Sequence, residues 1–211
     1  MGLMASDTGG GNFELAPEGT HLAICDRVID LGLQLNSYGN MQRKVMIGFR
    51  LVDETGSEGQ ALGVANRYTL SLSERAILRQ HLESWRGKAF TAKELKGFDV
   101  SKLLNVPALV SISHDLNPGN GKTYANITGI SGLPKSMARP EPLPRDELKL
   151  YIIGESPDAV LRDFHEKLQE TIATGRDNLA KMEGNKAQQE HAAQQAQQDT
   201  PPADFDDDIP F

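Results

Sequence analysis

Lys44-Val45-Met46-Ile47-Gly48-Phe49-Arg50-Leu51-Val52 decides how the rest of the chain is read. Val45, Ile47, Phe49 and Leu51 alternate with Lys44, Met46, Gly48 and Arg50. That is the two-residue period of a strand with one face on a core and the other on solvent. Upstream, Thr20–Leu35 also alternates, with Leu22 and Ile24 on one parity and Ile29, Leu31, Leu33 and Leu35 on the other. The switch near Val28 predicts a bulged or strongly bent strand. Asn36-Ser37-Tyr38-Gly39-Asn40 is a turn between the two. Downstream, past the Glu54–Gly59 loop, Ala61–Leu70 is a third strand. The period then lengthens. Ser73 can N-cap a helix carrying Ile77, Leu78, Leu82 and Trp85, which ends near Gly87. Thr91–Leu95 and Val100–Leu104 suit short helical turns. Alternation returns over Val106–His114, Asn117-Pro118-Gly119-Asn120-Gly121 is a hairpin turn, and Lys122–Ile130 is a fifth strand.

Three strands, a helix and two strands fit the five-stranded, partly open OB-fold barrel, whose single helix plugs one end. Other small barrels share the strand count, but few place one helix at that point. Phe49 and Trp85 are then core residues, and Tyr68 is either a core ring or one of the rings that accompany the basic residues. Between Leu133 and Leu150, Pro134, Pro140, Pro142 and Pro144 predict an extended connector. Ser156 and Pro157 open a second helix with Val160, Phe164, Leu168 and Ile172 on one stripe, closing near Gly175. That stripe either caps the barrel or packs on a second copy, and a homodimer through it is the expectation. From Glu183 to Ala203 the Gln/Ala-rich chain has no aromatic or branched aliphatic residue and cannot build a core. The expected organisation is a disordered N-terminus over 1–12 and an OB-fold domain over 13–135. A connector with a C-terminal helix comes next over 136–182, then a disordered acidic tail over 183–211.

The 211 residues are 38% apolar and 24% charged, enough for a real core. One cysteine, Cys25, excludes an internal disulfide framework and a multi-cysteine zinc site, and fits a reducing compartment. No apolar run approaches the ~20 residues that cross a bilayer, so the expected location is cytoplasmic, without a membrane partner. The net charge of −7 is unevenly placed: residues 183–211 hold seven acids and one base, whereas Thr20–Lys135 holds 14 bases against 10 acids. A mildly basic body carries an acidic tail.

Catalysis finds no candidate, and neither an enzyme nor a cofactor is expected. Gly119-Asn120-Gly121-Lys122-Thr123 ends like a phosphate-binding loop, but the required first glycine is Leu116, and two strands rather than a strand and a helix flank it. His21, His81, His114, His165 and His191 have no metal spacing, and His165-Glu166 fits a solvated helix face. Cys25 in a strand is a small apolar filler, and Asp53-Glu54 beside glycine suits a turn.

Basic and aromatic residues outside the core do form a pattern. Lys44 and Arg50 share the polar face of their strand, Arg43 precedes them near Tyr38, Arg67 stands opposite Tyr68 in parity, and Tyr124 follows Lys122. Cations that follow phosphates, interleaved with rings on which bases stack, are what binding of a single nucleic-acid strand requires. The ordinary alternative for each is a solvated strand face. Asp204-Phe205-Asp206-Asp207-Asp208-Ile209-Pro210-Phe211 carries the strongest signal. A solubilising tail has no use for Ile209 and Phe211. A peptide ligand does: the ring fills an apolar pocket and the carboxylates meet a basic rim.

Asp206-Asp207-Asp208-Ile209-Pro210-Phe211 resembles the C-terminal tip of bacterial single-stranded DNA-binding proteins, which recruits replication, repair and recombination enzymes. The body is similar instead to a bacteriophage or prophage single-strand binding family, through Arg67-Tyr68-Thr69-Leu70-Ser71-Leu72-Ser73-Glu74, Leu82-Glu83-Ser84-Trp85-Arg86-Gly87-Lys88 and Tyr124-Ala125-Asn126-Ile127. The resemblance implies an OB-fold with an added C-terminal helix, single-stranded DNA as ligand and partner enzymes at the tip. The pattern of cations and rings, not the resemblance, makes Tyr38, Arg43, Lys44, Arg50, Arg67, Lys122 and Tyr124 the expected DNA contacts, and the expected partner contacts are Asp206, Asp207, Asp208, Ile209, Pro210 and Phe211. A strand-annealing recombination protein and a protein-binding adaptor are the alternatives.

Overall fold

A computed structural model describes residues 14–198, with side chains placed to residue 190. The expected loose N-terminus over 1–12 and the tip at Asp204–Phe211 lie outside the described residues. Within them the strands are β1 (Gly19–Leu35), β2 (Met41–Thr55), β3 (Ala61–Thr69), β4 (Pro107–Asn117), β5 (Lys122–Ser131) and β6 (Lys149–Tyr151). Helix α1 (Ile77–Arg86) falls between β3 and β4, and α2 (Glu166–Gln198) follows β6. The sheet order is β3-β2-β1-β4-β5, with these neighbours antiparallel, and β6 is added parallel to β1. The protein is mainly β, one six-stranded sheet with a C-terminal helix.

β1 is the shared strand. Its register against β2 slips twice, skipping Asp26 between the Cys25 and Arg27 pairs and Leu31 between the Asp30 and Gly32 pairs. Each skipped residue is a bulge, which bends the strand and reverses the parity of the residues after it. The first lies two residues before the position expected near Val28. Leu22, Ile24, Ile29 and Leu31 therefore share the outer face instead of dividing between two. Ala23, Cys25 and Val28 enter the first core with Val45, Ile47, Phe49, Val110 and Ile127. Ile29 and Leu31 enter a second core with Tyr151, Phe164, Leu168 and Ile172. The pairing of β1 with β4 ends at Ile24–Pro107, just before the first bulge. Backbone groups of Arg27–Ile29 would then lack partners on that side, and β6 supplies them. The connector expected over 133–150 thus ends in a strand that its prolines do not announce.

α1 buries Leu78, Leu82 and Trp85 in the first core and ends at Gly87 (φ 67°), as its spacing predicts. The Trp85 indole N–H donates to the Pro107 carbonyl (2.8 Å), and its ring tilts against Phe49 at 5.2 Å. Ser73 does not cap the helix. The N-cap is Ala76, and the Ser73 hydroxyl bonds Ser71 in the preceding turn.

The second helix corrects two expectations. Asp158–Asp163 is a 3₁₀ turn and Phe164 is extended, so the helix begins at Glu166. The His165 ring is not an idle surface group, because its Nδ1 accepts the Leu168 N–H of the first turn (3.3 Å). Gly175 does not terminate the helix either. A Cβ there would overlap the Leu31 carbonyl, and Gly32 of β1 (φ +67°) faces it. Glycine at 175 is a site of close backbone approach, which in sequence looks the same as a helix stop. The helix runs on to Gln198, so residues 183–198, expected to be disordered, are helical; side chains from 184 to 190 are exposed. No helix among the described residues is long and apolar enough to cross a membrane.

The stripe that suggested a homodimer is consumed inside the chain: Phe164, Leu168 and Ile172 are buried against β1 and β6. Its apolar area gives a second copy nothing to cover. Ile172→Ala is expected to cost about 2–5 kcal/mol of unfolding free energy. Gly175→Ala should destabilise as well, although alanine favours helix over glycine by about 1 kcal/mol. Urea denaturation of both variants checks this, and a stabilising Gly175→Ala would show that α2 does not touch β1.

Candidate nucleic-acid interface

Along β2 the residues facing away from the first core are Lys44, Met46, Gly48 and Arg50. Their partners on β3 are Thr69, Arg67, Ala65 and Gly63. The result is a face with small residues, Gly48, Gly63 and Ala65, beside cations, with Met46 packed against the second core. Arg67 is exposed, Lys44 is half-buried, and neither has an ion pair among the described residues.

Arg27 joins this face, and sequence reading missed it because the bulge at Asp26 hides its parity. Its side chain lies across Gly48, whose missing Cβ leaves the room, and reaches Gly63 with Nη2. The Asp26 carboxylate holds it in a two-point grip (Nε–Oδ1 2.9 Å, Nη2–Oδ2 2.8 Å). Such bidentate pairing fixes the plane of a guanidinium.

Two expected phosphate contacts have intramolecular partners. Arg50 pairs with Glu147, on the 3₁₀ turn Arg145–Glu147 that leads into β6, and so pins the C-terminal layer to β2. Arg43 pairs with Asp30 (Nη2–Oδ2 2.6 Å), whose other oxygen accepts the Gly32 N–H (2.9 Å). It braces the second bulge. In strand alternation Arg43 also falls on the parity opposite Lys44 and Arg50, so it is not a member of the same face.

The rings stand at hairpin ends. Tyr38 is 87% exposed on the β1–β2 turn, which the Asn36 side chain ties by accepting from the Tyr38 and Asn40 N–H groups (2.9 Å each). Tyr124 is 42% exposed on β5, its hydroxyl accepting from Asn120 (2.8 Å), with the exposed Lys122 two residues before it. Leu35 and Met41 beside Tyr38, and Leu116 on the β4–β5 hairpin, are exposed too. The first hairpin continues the Leu35 end of β1, and the second extends past its Gly19 end. The seven expected residues are therefore spread along the sheet as a track. They are not gathered in a pocket. Tyr68 is unavailable for stacking: it is buried, and its hydroxyl meets His81 Nδ1 at 3.0 Å.

Burial pushes the Cys25 thiol up, away from its reactive thiolate. Among the described residues no group of three or more His, Cys, Asp and Glu side chains could hold a metal ion. Compared with protein-family models and with curated protein sequences, the chain matches none.

Burial lowers the pKa of His81. Its unfolded value is about 6.5, so on acidification the unfolded chain takes up the proton first. Stability contributed by neutral His81 is complete above about pH 7.5 and is lost as pH falls through about 6.5 towards the folded value. Urea midpoints should therefore drop more steeply between about pH 7.5 and 5.5 in the parent than in His81→Gln. Parallel curves would remove His81 from the balance.

Proposed function

We propose that the protein binds single-stranded DNA along the outer face of β2 and β3 and the two hairpin ends, and recruits replication, repair or recombination enzymes through Asp204–Phe211. In this reading the sheet and α1 form an OB-type barrel. The observation that carries the proposal is the β2–β3 face itself, where Gly63 and Ala65 lie beside Lys44, Arg50 and Arg67 and Arg27 crosses Gly48. The small residues of β3 keep that side of the face low, and the cations beside it supply phosphate partners. Tyr38 and Tyr124 extend the track with exposed rings. One observation favours a protein-binding adaptor instead: Arg27, Arg43 and Arg50 already have carboxylate partners.

Titration of a labelled, unstructured oligonucleotide against salt separates the two readings. Binding should weaken steeply with salt, and Arg67→Ala should make the log–log slope shallower by about 0.7, one phosphate contact on a single strand. Tyr124→Ala should cost about 1–3 kcal/mol of binding with the fold intact. A slope near zero, or both variants binding like the parent, rejects this face. For recruitment, deleting Phe211 should abolish partner pull-down while oligonucleotide affinity is retained. Undiminished capture without Phe211 removes the docking role.

A further inference from the structure

At the end of the sheet remote from the β1–β2 hairpin, an open cleft of about 700 Å³ lies between the C-terminal turn of α1 and the chain leaving β5. Leu133, Pro134 and Met137 give it an apolar wall, with Trp85 at its base. Arg86, Lys135 and Arg139 are its charged residues, and no acid lines it. Lys135 and Arg139 are exposed and have no ion pair among the described residues. Arg86 is held over Phe90 (4.3 Å) and bonded to Glu94 through Nη2, while its Nη1 is buried without a hydrogen-bond partner.

We propose that this cleft binds the Asp204–Phe211 segment of a second copy of the chain. The chemistry is complementary in both parts: aspartates for the exposed Lys135 and Arg139, and Phe205, Ile209 and Phe211 for the apolar wall. A nucleic-acid strand fits less well. The one ring at the cleft, Trp85, is 6% exposed and already packed on Phe49, so bases find no stacking platform.

The direction of α2 selects a second copy over the chain's own segment. The cleft includes Pro107, which pairs with Ile24 of β1. α2 leaves the sheet at the other end of that strand, where Asn178 donates to the Leu33 carbonyl (3.0 Å). Nine residues of strand, bent at two bulges, separate the two points, at most roughly 30 Å. Beyond Glu183 the helix carries the chain on by roughly 22 Å. The chain's own segment thus starts from the end of the strand opposite to the cleft. A neighbouring copy has no such constraint, and several copies on one strand would be linked tip to cleft. The inference rests on the reading of Asp204–Phe211 as a peptide ligand, but not on which face binds DNA.

Trp85 is the chain's single tryptophan, so its fluorescence reports on the cleft. A synthetic peptide of residues 204–211 titrated into the full chain at low concentration should change its emission saturably. The double variant Lys135→Glu with Arg139→Glu should weaken that response by about tenfold or more and leave oligonucleotide affinity unchanged. Light scattering of the full chain should show mass rising with concentration, and the double variant should lose this rise. An unchanged emission, an equal response in the double variant, a response abolished by Arg67→Ala, or a mass independent of concentration overturns the proposal. Phe211-dependent partner capture beside a silent Trp85 overturns the cleft alone and leaves the recruitment reading standing.

Discussion

The bulge at Asp26 is the constraint on which the rest of the structure depends. A regular strand shows alternate residues to alternate faces, so β1 could serve two cores only by strict alternation. By inserting one unpaired residue, β1 gives Ala23, Cys25 and Val28 to the inner core and still turns Ile29 and Leu31 outward to the C-terminal layer. The bend also separates β1 from β4 after Ile24 and opens the edge that β6 fills. Asp26 is nearly buried, and a carboxylate there is tolerable only because Arg27 bonds both its oxygens. Removing either partner would strand a charge at the point where the two cores divide.

That same pair ties architecture to the outer face. Arg27 reaches across Gly48 because Asp26 aims it, and Asp26 is in place because the strand bulges. Arg50 makes a second link, from β2 to the turn before β6 through Glu147. The C-terminal layer therefore does two jobs. It covers Ile29 and Leu31, and it fixes one border of the β2–β3 face. Gly175 on Gly32 sets how closely that layer lies on the strand, since no side chain fits between the two backbones.

Periodicity made much of the fold legible, and its lapses mark what was not. β2, the two hairpins and the α1 stripe ending at Gly87 are local patterns, and the structure keeps them. The bulge was visible as a parity change but was displaced from Asp26 to Val28, because parity shows that a residue has been skipped and does not say which one. β6 has three residues, too few for any period. Gly175 carries a helix-stop signal and a close-contact signal in the same letter. For the candidate site, exposure was legible: Tyr38, Arg67, Lys122 and Tyr124 stand in solvent. Pairing was not. Nothing in the neighbourhood of Arg50 announces Glu147, 97 positions away, and Arg27 was hidden by the bulge before it.

The pairing changes how a charged face of this kind would work. A cation that already has a carboxylate gains only the difference between that partner and a phosphate, so Arg27 and Arg50 supply less attraction than their formal charge suggests. In exchange, their guanidinium groups are held in one orientation, and less side-chain entropy is lost when a ligand arrives. The exposed Arg67 and Lys122 have the opposite balance, full charge and full freedom, and the half-buried Lys44 is likewise without an ion pair among the described residues. Attraction and salt dependence would then reside in the unpaired residues, whereas the paired arginines would set where a strand lies. Glu147 and Asp26 differ in this respect. The Asp26 carboxylate is 5% exposed and cannot leave without breaking the bulge, but Glu147 is 39% exposed on a surface turn. Of the two pairs, Arg50–Glu147 is thus the one that a competing anion could open, at the expense of the link to the turn before β6, while Arg27 would keep its partner.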